Sequence, residues 1–127
     1  MISGITTTVT AAPDQAEAQI RAALAEHGFG VLTEIDVSAT LKAKLGIDRS
    51  PLKILGACNP GLAHRALELD PMASLLLPCN VVIEAIDGGS RVTAVDPRQL
   101  LDDPRFESLA DEAAAKLIAA IEALNQI

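Results

Sequence analysis

The sequence predicts an α+β fold, a largely antiparallel sheet with helices on one face, and three observations support it. Runs of β-branched residues alternate with amphipathic segments in the order β-α-β-α-β-α-β-β-α. The Asp87-Gly88-Gly89-Ser90 turn joins two strand-like runs as a hairpin. The C-terminal segment carries an apolar stripe at helical spacing, which indicates a helix covering a sheet. A chain of 127 residues is the size of one domain, so residues 1–127 are expected to form a single domain.

The N-terminal segment predicts a strand and then a helix. Residues Ile5–Thr10 are β-branched throughout, which favours the first strand. Asp14 lies at the start of a helical pattern, and Glu17 three residues later is typical of a capping box. Gly28 is expected to end this helix.

The second predicted strand is Phe29–Asp36, and its alternation assigns side chains to two faces. The inward residues are expected to be Val31, Thr33 and Ile35. The outward residues are expected to be Leu32, Glu34 and Asp36.

A short helix over Ser38–Leu45, closed by Gly46, and a third strand over Leu52–Cys58 are predicted next. Asn59-Pro60 then favours a helix start, because the asparagine side chain caps a helix whose first residue is proline. The same reasoning predicts helix starts at Asp96-Pro97 and Asp103-Pro104, whereas Asp70-Pro71 is interpreted as a stop.

A long fourth strand is predicted over Leu75–Ile86, paired through the hairpin turn with Arg91–Val95. One face of the fourth strand would carry an apolar row of Leu75, Leu77, Cys79, Val81 and Ile83. Pro78 within this strand indicates a sheet edge or a bulge.

The last helix is predicted from an apolar stripe of Leu109, Ala113, Leu117, Ile121 and Leu124. Ser108 is expected to cap this helix, with Asp111 three residues later.

Composition excludes several classes of partner. The net charge is −7 and the ten basic residues are spread along the chain, so neither nucleic acid nor an anionic membrane is expected as a partner. The aromatic residues are Phe29 and Phe106, so the protein has few side chains that could stack on nucleic-acid bases or on a sugar ring. The first basic residue is Arg21 and no apolar run is long enough to span a bilayer, so we expect a cytoplasmic protein with reduced thiols.

Both cysteines lie in matched tripeptides, Ala57-Cys58-Asn59 and Pro78-Cys79-Asn80. We take these blocks as the candidate binding site, formed by Cys58, Asn59, Pro60, Pro78, Cys79 and Asn80. Cys58 precedes a helix start, a position that favours a thiolate, but no basic or acidic partner can be identified in the sequence, which favours a small buried residue that ends a strand. Cys79 lies in an apolar row and is expected to be structural, unless Pro78 brings it nearer to solvent. If the two strands are neighbours, both sulfurs could meet at one end of the sheet.

Other chemistry has little support in the sequence. There is no C-x-x-C or H-x-x-x-H pair, and His64 and His27 are only possible supplements, so no metal site is predicted. The glycines lack phosphate-loop spacing, and no cofactor is predicted. No paired carboxylates or Ser-His-Asp set can be identified, so whether the protein is an enzyme stays open.

Four segments resemble one known family in their order and spacing: GFGVLTEIDV, ILGACNPGLA, DPMASLLLPCNVVI and VTAVDP. They resemble the bacterial and archaeal family called domain of unknown function 302 (DUF302), over nearly the whole chain. The resemblance implies a fold similar to the TATA-binding-protein-like α+β architecture, usually in a homodimer. It implies neither DNA binding nor any other activity, because a shared fold does not carry function.

Two hypotheses about function follow from these observations. The first is a homodimeric module that binds a small ligand or a partner near the two Cys-Asn blocks, with Leu76, Val82 and Ile86 forming an apolar patch that an isologous dimer would bury. The alternative is a thiol-dependent redox sensor or enzyme in which Cys58 reacts and Cys79 resolves.

Overall fold

A computed structural model describes residues 2–126, which form a five-stranded antiparallel sheet and helices that pack on it. The strands are β1 (Ile5–Val9), β2 (Gly30–Asp36), β3 (Leu52–Cys58), β4 (Cys79–Ile86) and β5 (Gly89–Ala94). The α-helices are α1 (Pro13–Glu26), α2 (Val37–Leu45), α3 (Pro60–Leu69), α4 (Pro97–Leu100) and α5 (Glu107–Ala123). Short 3₁₀ turns cover Pro71–Leu76, Pro104–Phe106 and Leu124–Gln126. No helix among residues 2–126 combines the length and apolar composition that a membrane span requires.

The sheet has the order β1-β5-β4-β3-β2, and each neighbouring pair of strands is antiparallel. The predicted hairpin is confirmed: β4 and β5 pair, and Gly88 lies between them at a φ of 80°. That left-handed conformation strains residues with a β-carbon, which explains glycine at this position. The predicted α+β class and order of elements are therefore confirmed.

The core lies between one face of the sheet and the two long helices, α1 and α5. Helix α1 contributes Ile20 and Leu24, and α5 contributes Leu117 and Ile121 of the predicted apolar stripe. The sheet opposes them with buried aliphatic side chains, among them Leu55, Val81 and Val92. The opposite face has no helix packed on it in the described residues, and we call it the open face. It carries the even-numbered residues of β4, including Asn80, Val82 and Glu84.

The predicted faces of β2 are wrong beyond Val31, because the strand contains a bulge. Val31 pairs with Ala57 but Thr33 pairs with Gly56, so Leu32 has no residue opposite it. An extra residue reverses the alternation that follows it. Thr33 and Ile35 therefore lie on the open face, and Ile35 is 51% exposed. Glu34 and Asp36, predicted to point outward, lie on the helix-covered face.

This reversal places Glu34 in an ion-pair network with Lys53 of β3. The Lys53 Nζ lies 2.6 Å from Glu34 Oε1 and 2.9 Å from Glu17 Oε1, and Arg21 Nε lies 2.9 Å from Glu17 Oε2. Burial raises the pKa of Glu17, but hydrogen bonds from Lys53 and Arg21 more than offset this and leave the pKa below its ordinary 4.5. Glu17 therefore contributes stability above pH 4.5 that is lost as the pH falls through its lowered pKa.

Both predicted capping boxes are wrong. Helix α1 begins at Pro13 and its N-cap residue is Ala12, which has no side chain to accept a hydrogen bond, so Asp14 lies within the first turn. Glu17 pairs instead with Lys53 and Arg21. Helix α5 begins at Glu107, directly after the 3₁₀ turn of Pro104–Phe106. Ser108 therefore lies inside the helix and not at its N-cap position.

The other predicted starts, at Asn59, Asp96 and Asp103, are confirmed. In each case the side-chain oxygen accepts a hydrogen bond from a backbone N–H in the first turn.

The predicted fourth strand is wrong in its first four residues. Residues Pro71–Leu76 form a 3₁₀ turn, and the Asp70 carboxylate accepts a hydrogen bond of 2.9 Å from Met72 N. Asp70 thus ends α3, as predicted, but also caps a new turn, and this local bonding overrides the apolar run. Strand β4 begins at Cys79 and lies between β3 and β5, so Pro78 precedes an interior strand rather than marking an edge or a bulge.

Gly56 is expected to be intolerant of a side chain. A β-carbon there would overlap the Thr33 hydroxyl and lie 2.7 Å from Pro78 Cγ, whose ring has little freedom to move. The Gly56→Ala variant should lower the free energy of unfolding by about 2 kcal/mol in urea denaturation. Gly30→Ala is the matched control, because a β-carbon there has no atom within 4 Å. Equal stability of the two variants would contradict this packing.

Candidate functional site

The two Cys-Asn blocks lie side by side because β3 and β4 are neighbouring strands. In the register of this pair Ala57 is directly opposite Cys79, so Cys58 is one residue beyond that position. Strand spacing and rise place the α-carbons of Cys58 and Cys79 about 6 Å apart. The sequence hypothesis that both thiols lie at one end of the sheet thus has a geometric basis.

Cys58 and Cys79 both line one cavity of about 40 Å³ between the sheet end, α3 and the C-terminal half of the chain. We call it the thiol cavity. Its walls are largely aliphatic, and residues from distant segments complete them, including Phe29, Leu62, Leu77, Leu101 and Leu109. Within the described part of the chain, no Asp, Glu, Lys, Arg or His lines it.

Cys58 lies where β3 ends and the chain turns toward α3. Leu55 and Ala57 point into the core, so alternation would turn Cys58 toward the open face. Cys58 is the last residue of β3, however, and the chain turns at Asn59 into α3. Cys58 is still paired with Gly30 of β2, and as a residue at the strand end it borders the cavity that Cys79 also lines.

Asn59 forms the polar part of the cavity wall. Its Oδ1 accepts a hydrogen bond of 3.2 Å from Leu62 N, which fixes the first turn of α3. The amide also lies against Gly28, because a β-carbon on that glycine would lie 3.0 Å from Asn59 Nδ2. Gly28 has a φ of 83°, as the end of α1 requires, so one asparagine connects the end of α1 with the start of α3.

The environment of Cys79 disfavours its thiolate. Burial raises the pKa of the Cys79 thiol, and repulsion from Cys58 raises it further. The second cause indicates that the two sulfur atoms are near enough to interact. Cys79 also packs against the main core, as its predicted place on an apolar face implies.

The remaining predicted site residues do not line the cavity. Pro60 is the exposed first residue of α3, and Pro78 packs over Gly56. Asn80 lies on the open face, where its backbone carbonyl accepts a hydrogen bond from Val95 N at 2.9 Å. The structure therefore brings together Cys58, Asn59 and Cys79 of the six proposed binding residues.

The two histidines lie elsewhere. His64 is exposed on α3 with its Nε2 3.6 Å from Glu68 Oε1, and His27 caps the end of α1. Residues 2–126 contain no cluster of three or more His, Cys, Asp or Glu side chains suited to a metal.

Sequence reasoning missed the aliphatic wall of the cavity. Leu76 and Leu77 were placed on a strand, but they belong to the end of the Pro71–Leu76 turn and its exit. Leu109 and Ala113 belong to the predicted stripe of α5, so their burial was foreseeable although their proximity to the thiols was not.

Comparison with known proteins identifies similar sequences and folds. Residues 5–124 match the model of a family described as "Domain of unknown function DUF302". The structure is similar to the crystal structure of an uncharacterized conserved DUF302 protein from Bacillus stearothermophilus, with a TM-score of 0.84 and 27% identity. That match covers 92% of this chain and 94% of the other. No curated protein matches this chain significantly.

The two thiols are expected to differ in reactivity toward a small alkylating reagent at neutral pH. Cys58 should be modified first, because burial raises the pKa of Cys79 and leaves less of it as the reactive thiolate. Mass spectrometry after limited alkylation of the folded protein would locate the first adduct, with Cys58→Ser as the control. First labelling at Cys79, or no labelling before unfolding, would contradict this assignment.

Proposed function

This chain belongs to the DUF302 family, whose model its residues 5–124 match, and we propose that it is a module that binds a small ligand in the thiol cavity. The observation that carries this proposal is the convergence of both cysteines and Asn59 on one apolar cavity. Neither thiol is required as a disulfide staple, because a chain of this length can bury a sufficient core. Two free thiols at such a cavity are therefore available for binding.

The volume of the cavity limits the size of the ligand. A cavity of about 150 Å³ accommodates benzene. The thiol cavity, of about 40 Å³, therefore suits a smaller group or the end of a longer molecule. Because no charged side chain lines it, recognition would depend on apolar contact, on sulfur and on the amide of Asn59.

The proposed module is a homodimer, with the open face of the sheet as its interface. Ile35 lies on this face and is half exposed, and Val82 and Ile54 lie beside it, partly accessible. A second copy could cover these side chains through an isologous contact. Leu76, which the sequence predicts to be part of this patch, lies instead in the Pro71–Leu76 turn at the cavity wall.

A redox function is the second candidate, favoured by the position of Cys58 diagonally across from Cys79. The estimated separation of their α-carbons, about 6 Å, lies within the range of disulfides. An alkyl hydroperoxide would take two electrons from the thiols as the S–S bond forms and the O–O bond breaks, yielding an alcohol and water. After such treatment both thiols should resist alkylation together and recover with a reductant, and independent loss of one thiol would contradict a resolving pair.

Xenon is a suitable probe of the thiol cavity, because it is small, apolar and detectable through protein methyl signals. It should shift the NMR signals of Leu62, Leu77 and Leu109 in the wild-type protein. Ala63→Leu places extra volume at the cavity wall and should abolish these shifts. Ala43→Leu on exposed α2 is the matched control and should preserve them. Unchanged wild-type signals, or shifts that persist in Ala63→Leu, would contradict an accessible cavity.

The homodimer is tested by sedimentation at micromolar concentration, where the wild-type protein should have twice the 13.2 kDa mass of one chain. Val82→Glu puts a charge on the open face and should shift the protein toward monomer, whereas Ala43→Glu on α2 should leave it dimeric. A monomeric wild-type protein would contradict the proposed assembly.

A further inference from the structure

We propose that the thiol cavity binds the end of an unbranched alkyl chain, whose head group stays at the protein surface. This inference rests on the proposed function, because it names the class of ligand for the same site. Four features of the cavity carry it: its place between two packed clusters, its volume, its uncharged wall and the exposed leucines at its mouth.

The cavity lies along a seam between two clusters of buried side chains. The main core reaches it through Phe29 and Ala57. A smaller cluster, built by α3, α5 and the 3₁₀ turns, reaches it through Leu62 and Leu109. Every buried residue of the described wall is apolar. A guest in this seam would therefore make apolar contacts on both sides, which favours hydrocarbon over a polar group.

The volume of the cavity favours a narrow guest. One group the size of a water molecule needs about 10–15 Å³. The cavity of about 40 Å³ therefore holds about three such groups, as many as the last three carbons of an unbranched chain. A six-membered ring does not fit this space, since a cavity that accommodates benzene measures about 150 Å³.

The wall also determines which end of the chain enters. Among the described residues that line the cavity, Asn59 is the only one with a side-chain amide, and its Oδ1 already accepts a hydrogen bond from Leu62 N. One amide cannot replace the hydration of a charged head group, and no charged side chain of the described wall could pair with it. The methyl end therefore enters, and the head group stays in water.

Exposed leucines mark the mouth of the cavity. Leu76 of the Pro71–Leu76 turn and Leu100 of α4 both line the cavity, yet they are 36% and 38% exposed. The same turn also exposes Leu75 and Met72. A chain that leaves the cavity past Leu76 and Leu100 would cover part of this surface, so its middle carbons would leave water as well.

The charges near the mouth favour a free chain over one held in a bilayer. The Pro71–Leu76 turn contains no basic residue, and Asp102 and Asp103 follow α4 closely in the chain. The guanidinium of Arg98 on α4 is already paired, with its Nη2 2.8 Å from Asp96 Oδ2. Anionic lipid would therefore find little attraction at this surface.

The test is an NMR titration of the methyl groups of the full-length protein with n-hexanol, compared with cyclohexanol, which has the same number of carbons. One n-hexanol per chain should shift the signals of Leu76 and Leu100. Cyclohexanol should bind at least tenfold more weakly, because its ring is too wide for the cavity. From n-butanol to n-octanol the dissociation constant should fall by up to about fourfold for each added methylene, and then level off once the chain extends past the exposed leucines.

A pair of variants locates the binding site. Leu100→Glu puts a charge at the mouth and should weaken n-hexanol binding at least tenfold. Leu45→Glu makes the same exchange at an exposed position of α2 outside the cavity wall, and should leave the affinity unchanged. Circular dichroism establishes that both variants fold, and should Leu100→Glu not fold, the preference of the wild-type protein for n-hexanol over cyclohexanol decides.

Three results would overturn the inference: equal affinity for n-hexanol and cyclohexanol, affinity that the folded Leu100→Glu variant retains, or flotation of the protein with neutral phosphatidylcholine vesicles. The last result would assign the exposed leucines to a membrane surface. Absence of n-hexanol binding while xenon still enters the cavity would refute the alkyl chain and leave the ligand module intact. Absence of both would refute the proposed function as well.

Discussion

The register between β3 and β4 is the constraint on which the core and the candidate site both depend. It sets Leu55 against Val81 on the helix-covered face and Ala57 against Cys79 at the strand end. A slip of one residue would turn the buried side chains of β3 to the open face. Because the same ladder fixes core and cavity, the free energy that stabilises the fold also holds the thiols together.

Gly56 and the β2 bulge support this register from the other side of the sheet. Thr33 and Pro78 pack over Gly56, where a side chain would prevent their approach. Thr33 reaches that position because the bulge at Leu32 reverses the faces of β2. The same reversal turns Glu34 toward Lys53, which joins β2, β3 and α1 through ion pairs on the helix-covered face.

Local signals in the sequence predicted much of the fold and less of the site. Strand β3, the hairpin and the stripe of α5 follow from alternation, turn chemistry and helical spacing, which are properties of neighbouring residues. The faces of β2 were not predictable, because one unpaired residue reverses them and the bulge forms only in contact with β3. The apolar run after Asp70 forms a turn rather than a strand, and hydrogen bonds from Met72 N to the Asp70 carboxylate and from the Ser74 hydroxyl to Pro71 O stabilise that turn. The aliphatic wall around the thiols comes from segments far apart in the chain, and no local pattern indicates their meeting.

The account depends most directly on the direction of the Cys58 side chain. Nuclear Overhauser contacts from the β-protons of both cysteines in the reduced protein would determine it. We expect both sets of protons to contact methyl groups of the cavity wall, such as Leu62 and Leu77. Contacts from Cys58 only to residues of the open face, such as Thr33 or Val82, would contradict a shared thiol cavity.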